Sequence, residues 1–290
     1  WFNRWMIPLG IVTLFMMGVG TLIAWRSSSW KNFKRDFLGP LATMVVLTPA
    51  LVFGYWFARG EALGVIPSPL EQFYAISTVA GCVFVAASIW QEFYRGISAR
   101  MRKHGENVLS ALFMLFRKQR RRYGGYIVHM GVVFAFLAFS GNALKIEHDV
   151  ALSPGDSIEV GDYELTYEKT TEESQPDKVL RIAELSVRRQ GEYLYDIHPG
   201  KAFFRDHSNP NRQFKMPTSE IDIRTTPLED LYVALVSNSR TGDSATFKMF
   251  VTPFTWWFWF ACAVIIAGTV ICLWPSREAV ASLRRKLVAS

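Results

Sequence analysis

The chain has 290 residues, half of them hydrophobic, and its formal net charge is +7. Five apolar runs of about 18–22 residues exclude a purely soluble protein, because each can cross a bilayer core of ~30 Å as a helix rising ~1.5 Å per residue. The positive charge does not indicate nucleic-acid binding, because residues 143–251 carry 13 Lys/Arg and 19 Asp/Glu, whereas the remainder carries 19 Lys/Arg and 6 Asp/Glu. This distribution is typical of a membrane protein with basic loops on one side and an acidic soluble domain on the other.

The first three apolar runs, at 6–25, 41–58 and 73–91, predict three membrane helices. The second contains Pro49, and the third is followed by Glu92, which we interpret as an interfacial side chain. The chain opens with WFNRWMIPLG, which has neither an initiator Met nor the pattern of a signal peptide. We therefore expect it to be a piece of a longer protein.

Segment 105–119 is too short to cross a membrane, but its apolar residues recur at helical spacing. They are Val108, Leu109, Leu112, Leu115 and Phe116. Basic residues follow them from Arg117 to Arg122. The segment predicts an amphipathic helix on the cytoplasmic membrane surface, ahead of a fourth membrane helix at 123–144.

Residues 145–251 have the pattern of a β domain, with short alternating runs separated by turn residues such as Pro154-Gly155-Asp156. The runs are SIEVG, YELTYEK, LRIAELSVRRQ, GEYLYDIH, SEIDIRT, LYVALV and ATFKMFV. They predict an antiparallel β sandwich or partly open barrel, followed by a fifth membrane helix at 254–274. The predicted fold class is thus an integral membrane protein of five helices with an antiparallel β domain outside the cytoplasm. Its predicted parts are 1–144, 145–251 and 252–290.

Basic residues predict the orientation of the chain. Segments 26–40, 92–122 and 275–290 are rich in Lys and Arg, whereas loop 59–72 has only Arg59. Because basic loops stay on the cytoplasmic side, the acidic domain at 145–251 is expected on the opposite side.

His129 is the one histidine inside a predicted membrane helix. Ionisable residues within the membrane usually face the protein interior and carry function. On a helix it shares a face with Arg122, Gly125, Tyr126, Val132, Val133 and Phe136. A neutral imidazole beside a missing side chain and apolar neighbours suits an axial ligand of heme iron, with Arg122 and Tyr123 placed to reach its propionates.

Two other interpretations of this stretch stay open. Gly124, Gly125 and Gly131 are also what close helix–helix packing uses, so that His129 would only hydrogen-bond a neighbouring helix. A proton-transport role is the third alternative.

The other candidate residues give no catalytic constellation. His104 lies in the basic loop, and His148, His198 and His207 lie in the β domain without carboxylates at metal-ligand spacing. The three cysteines, Cys82, Cys262 and Cys272, all lie inside predicted spans and form no CxxC pair, so neither a disulfide framework nor a thiolate metal site is predicted.

An ordered set of motifs resembles the CcmF family, the heme lyases of the bacterial cytochrome c maturation system I. The motifs are RRYGGYIVHMGVV, HDVALSPGDSIEVGDYELTYE, LEDLYVAL and PFTWWFWF followed by CLWPSR. They extend from about residue 120 to residue 277, in the family's order. The resemblance implies five spans with a periplasmic domain between the last two, in the bacterial inner membrane.

The resemblance also implies a function. Family members attach heme to the cysteines of apocytochrome c, receive heme from the chaperone CcmE, and work with CcmH-type subunits that present the apocytochrome. Two intramembrane histidines hold a heme b, for which quinol is a candidate electron donor, and His129 resembles the second of them. Membrane lipid is a further expected partner, and nucleic acid is not.

This chain departs from the family pattern. It has no WWD motif and no second intramembrane histidine, and His148 is not taken as a periplasmic heme ligand. The resemblance therefore covers roughly the C-terminal half of a heme lyase, and the WWD region and the other histidines belong to a remainder outside this chain. The alternative functions are a cofactor-free membrane scaffold with a docking domain, and a transporter.

Overall fold

A computed structural model describes residues 2–23, 30–59, 68–205, 214–239 and 244–275. It divides the chain into two compact units, one formed by Trp1–Ala143 with Trp257–Ser290 and the other by Leu144–Trp256. The first unit is helical, and five of its helices are long and apolar enough to cross a membrane. The second unit is an antiparallel β domain inserted between the last two of these helices. The predicted fold class is confirmed.

The described helices extend beyond several of the predicted runs. They are α1 (Phe2–Leu22), α2 (Trp30–Arg59), α3 (Pro69–His104), α4 (Val108–Lys118), α5 (Arg120–Ser140) and α6 (Trp256–Leu273). A short 3₁₀ turn at Gly141–Leu144 ends the fourth span. The predicted runs for α2 and α3 were shorter than the helices themselves. Apolar character marks only the part that can cross a membrane, and a helix can continue into water once its backbone hydrogen bonds propagate.

Local signals set the ends of α3. The Ser68 hydroxyl accepts a hydrogen bond from the backbone N–H of Glu71, and Pro69 occupies the first helical position. Gly105 then ends the helix in the left-handed conformation at φ 65°, where its N–H donates to the carbonyl of Met101. The resulting helix of 36 residues packs against α1, α2, α4 and α5 and is the centre of the helical unit.

Helix α4 packs against the C-terminal part of α3. Asn107 caps its N-terminus, and Ala111 and Leu115 are buried. Leu109 and Phe113 are exposed, so the buried face differs from the predicted stripe, in which Leu109 had been grouped with Leu115. The difference arises because α4 packs against α3 and α5, which cover Ala111 and Leu115.

Ten strands are found in the described part of the β domain. They are β1 (Ile146–Leu152), β2 (Ser157–Val160), β3 (Tyr163–Ser174), β4 (Lys178–Arg189), β5 (Glu192–Ile197), β6 (Gly200–Phe204), β7 (Thr218–Glu220), β8 (Asp222–Thr225), β9 (Glu229–Asn238) and β10 (Ala245–Pro253). One sheet has the order β1-β10-β9-β8, and the other has the order β2-β3-β4-β6-β7 with β5 also pairing with β4. Strands β1 and β6 were not predicted, and the predicted run SEIDIRT is divided into β7 and β8, which belong to different sheets.

The two sheets enclose one hydrophobic core. Alternate residues of β3, β4, β9 and β10 point into it, among them the fully buried Tyr167, Leu185, Val233 and Phe247. The Tyr167 and Phe247 rings meet edge to face with their centroids 5.2 Å apart. The alternation in the sequence is therefore that of a sandwich whose inner faces are apolar.

Candidate cofactor site

His129 lies near the middle of α5 and is partly buried. Its Nδ1 atom is buried and has no hydrogen-bond partner among the described residues. A buried polar atom without a partner costs about 1–3 kcal/mol, so such atoms are rare unless a ligand or a further chain completes them. The interpretation of His129 as an interhelical hydrogen-bonding residue finds no partner in the described part of the chain.

The glycines of α5 fall into two groups. A Cβ on Gly124 would lie 2.7 Å from the Sγ of Cys272, and a Cβ on Gly131 would lie 2.6 Å from the side chain of Ile265, so both glycines serve close packing against α6. Gly125, one turn before His129, has nothing within 4 Å of a Cβ among the described residues. Packing thus accounts for Gly124 and Gly131 and leaves Gly125 as open space beside the imidazole.

The predicted apolar face of His129 is divided between two neighbours. Val133 is buried against α3, where its carbonyl accepts a hydrogen bond of 3.6 Å from the Sγ of Cys82. Phe136 packs towards α1, with its ring 3.4 Å from where a Cβ on Gly10 would lie. Val132 is partly buried. Of the three apolar residues predicted to share the His129 face, Val132 and Phe136 stay on the side of His129. Val133 points into the core of the helical unit.

Arg122 is engaged by neighbouring polar groups. Its guanidinium forms an ion pair with Glu92 of α3, and its Nε donates to the Tyr126 hydroxyl at 2.9 Å. Tyr126 in turn donates to Oε2 of Glu92 at 3.3 Å. Glu92 is 8% exposed, so it is buried among these groups, and its position relative to a membrane interface stays a prediction. Sequence separation hid the pairing, because Glu92 and Arg122 lie 30 residues apart on different helices.

Tyr123 does not lie on the His129 face. Its ring is 2% exposed and packs against Phe93, at a centroid distance of 5.1 Å, and against Phe116 of α4. The structure therefore does not support Tyr123 as a group that reaches towards a ligand of His129. Arg122 is half exposed on its side chain, but its charge is already balanced by Glu92.

The other described histidines lie at the end of a helix or on the β domain. His104 ends α3, His148 lies exposed on β1, and His198 is exposed with its backbone N–H donating to Asp222 at 2.8 Å. His207 lies outside the described residues. Within the described ranges, no three His, Cys, Asp or Glu side chains are close enough to hold a metal ion together. Cys82, Cys262 and Cys272 are free thiols.

An open apolar groove of about 740 Å³ lies between α2, α3 and α5. Met130, Val133 and Leu137 form its α5 side, next to the face of His129. Sequence patterns did not predict this groove, because its walls come from three helices whose facing sides are set by packing.

The residues on the His129 face fit a flat apolar group with one coordinating metal. The unpartnered Nδ1, the space beside Gly125 and the apolar Val132 and Phe136 are the three features that such a group needs. With one imidazole in this place, the chain could supply one ligand to the metal of such a group. A second ligand to the same metal would have to come from elsewhere.

Comparison with known proteins agrees with the motif resemblance. Residues 143–253 match the family described as the CcmF C-terminal β-sandwich. The chain is 24% identical over 265 residues to the cytochrome c-type biogenesis protein CcmF of Haemophilus influenzae, covering 90% of this chain and 36% of that protein. It is 25% identical over 293 residues to the cytochrome c-type biogenesis protein ccl1 of Rhodobacter capsulatus, covering 99% of this chain and 40% of that protein.

The fold agrees with a solved structure as well. The cytochrome c heme lyase CcmF superposes with a TM-score of 0.64 at 24% sequence identity, over 94% of this chain and 40% of that one. The chain thus spans about two fifths of the length of the relatives it matches. Residues 143–253 thus carry the CcmF C-terminal β-sandwich, and the chain as a whole is similar in sequence and in fold to part of the CcmF proteins.

Proposed function

We propose that this chain is the C-terminal part of a heme lyase for c-type cytochromes, in which His129 is one axial ligand of an intramembrane heme b. The observation that carries the proposal is the buried Nδ1 of His129, which has no partner among the described residues and lies one turn from the open space at Gly125. Similarity to proteins of cytochrome c biogenesis, among them a cytochrome c heme lyase, supports the same chemistry.

The residues of this chain would hold and shield the group. His129 supplies a neutral imidazole, Gly125 admits the edge of the macrocycle, and Val132 with Phe136 keeps water away from the metal. Bound heme would supply one-electron transfer, and an apolar, imidazole-ligated setting is one of the levers by which proteins tune its potential. Gly124 and Gly131 fix α5 against α6 and so hold the imidazole in place.

The rest of the site and its partners belong to the proposal too. The second axial ligand and the WWD region would come from the remainder of the lyase, since the other histidine of the described spans, His104, is exposed at the C-terminal end of α3. Heme would arrive from the chaperone CcmE, a CcmH-type subunit would present apocytochrome c, and quinol would supply electrons. The membrane is the bacterial inner membrane, and the β domain faces the periplasm as a docking surface.

The test is an absorption spectrum of the purified full-length protein and of His129→Ala. We expect a bis-imidazole b-type spectrum in the parent and its loss in the variant, while His148→Ala, an exposed histidine of the β domain, keeps it. His129→Gly with added imidazole should recover the spectrum, which separates ligation from folding. Unchanged heme content in His129→Ala would rule out the ligand assignment and favour the cofactor-free scaffold.

A further inference from the structure

A cluster of charged and hydroxyl groups links α2, α3 and α5 next to the proposed heme ligand. Oδ1 of Asp36 accepts from Arg95 at 2.8 Å, and Arg95 also reaches Oε1 of Glu92 at 3.3 Å. On its other oxygen, Glu92 meets Arg122 and the Tyr126 hydroxyl. Arg35 also pairs with Asp36, at 3.5 Å, so three arginines and two carboxylates share one cluster, in which Glu92 lies between Arg95 and Arg122.

The groups of this cluster differ in exposure. The side chains of Arg122 and Arg95 are 52% and 37% exposed, that of Asp36 is 19% exposed, and that of Glu92 is 10% exposed. Tyr126 is 7% exposed. The cluster therefore connects a water-accessible edge to a buried carboxylate and phenol.

The buried end lies close to His129. Tyr126 precedes His129 by three residues on α5, which corresponds to about 4.5 Å along the helix axis. The hydroxyl of Tyr126 is hydrogen-bonded to both Glu92 and Arg122. In an apolar interior, a charge that appears at one group changes the proton affinity of its neighbours, because little water screens the interaction.

We infer that Glu92 is the proton-exchanging group that balances electron arrival at the His129 site, with Tyr126 and Arg122 positioning it. The inference rests on the proposed function, because it requires a redox group on His129. Packing alone would be served by an apolar pair at this place, and a buried ion pair is weak evidence for stability as such. A buried carboxylate beside partly exposed arginines can instead exchange a proton with water.

The balance of the step is simple. Oxidation of one quinol to quinone would supply two electrons, one at a time, and release two protons to water. For each electron at the His129 site, one proton from water would bind an oxygen of Glu92, and it would return to water when that electron passes to a ferric substrate heme. The other charged or titratable groups around Glu92 are Arg95 on α3, Asp36 on α2, and Arg122, Tyr123 and Tyr126 on α5.

The experiment is a redox titration of the heme in the full-length protein at a series of pH values, without substrate. In the parent, reduction should take up a proton, so the midpoint potential should fall as pH rises. Glu92→Gln should keep the heme spectrum and lose most of this pH dependence. The matched control is Glu106→Gln, because Glu106 also pairs with an arginine, Arg100, but beyond the C-terminus of α3.

Two further variants keep the test decisive if Glu92→Gln folds poorly. The double variant Glu92→Gln/Arg122→Gln leaves no unpaired charge and should also lose the pH dependence, whereas Glu92→Asp keeps a carboxylate and should retain it. The same pH slope in the parent and in the Gln variants would overturn the inference while leaving the His129 assignment intact. Absence of heme from the parent would instead refute the proposed function.

Discussion

Gly124 and Gly268 bring α5 and α6 together so closely that a Cβ on Gly268 would lie 2.9 Å from the carbonyl oxygen of Gly124. It would also lie 2.8 Å from the backbone nitrogen of Val128. Because backbone atoms cannot give way as a flexible side chain can, the two helices depend on glycine at this crossing. Small residues of this kind are the usual basis of helix packing in membranes.

Substitution of Gly268 by Ala should therefore separate α5 from α6. We expect a loss of about 1–3 kcal/mol, the usual cost of overpacking a tight interface. The measurement is thermal unfolding of the protein in detergent. Gly20→Ala on α1 is the matched control, because its Cβ would meet nothing within 4 Å among the described residues. Equal melting temperatures for the two variants would contradict this packing.

The β-domain core should respond to a cavity at Phe247, which is fully buried against Tyr167. Phe247→Ala should cost about 3–5 kcal/mol, since it removes a large buried ring that the surrounding sheets cannot replace. Denaturant unfolding followed by hydrogen exchange in β-domain peptides would measure the loss. Leu194→Ala, on an exposed side chain of β5, should change the same protection little.

Tyr163 should give the β domain an alkaline limit. Burial, together with the neighbouring Glu229 carboxylate, raises the pKa of Tyr163 to about 12. A raised pKa in the folded state means that its contribution to stability is complete below about pH 10 and is lost as pH rises towards 12. Hydrogen exchange in β3 and β9 peptides between pH 9 and 12 is a direct measurement.

The phenylalanine variant tests the same group. The Tyr163 hydroxyl donates to Oε1 of the buried Glu229 at 3.1 Å. Tyr163→Phe removes that donor and should cost about 1–2 kcal/mol near neutral pH. It should also lack the part of the alkaline loss that depends on tyrosine ionisation. An unchanged alkaline profile in Tyr163→Phe would mean that another group sets the limit.

Glu147 on β1 should give an acid limit. Hydrogen bonds from Lys145 and from Lys248 lower the pKa of Glu147 to about 2. A lowered pKa in the folded state means that the stabilising contribution is present above about pH 4.3 and declines as pH falls towards 2. Unfolding midpoints between pH 5 and pH 2 should fall less steeply in Glu147→Gln than in the parent.

Some features followed from local sequence, and others could not. The length and hydrophobicity of the apolar runs identify all five candidate spans, because a membrane helix must be apolar along its own length. Alternation identified the strands that face the core on one side. Strand β1 was missed because it is an edge strand with three consecutive exposed residues, and β6 because it has only five residues and begins with Gly200.

The site shows the same division. The sequence by itself determined that His129 lies within a membrane helix, since it stands inside the apolar run at 123–144, which is long enough to cross a bilayer. Only the tertiary structure decided that Gly124 and Gly131 face α6, that Gly125 meets open space among the described residues, and that Glu92 is buried against Arg122 of a different helix. The physical reason is that helix periodicity fixes which residues share a face, whereas packing between distant segments fixes what that face meets.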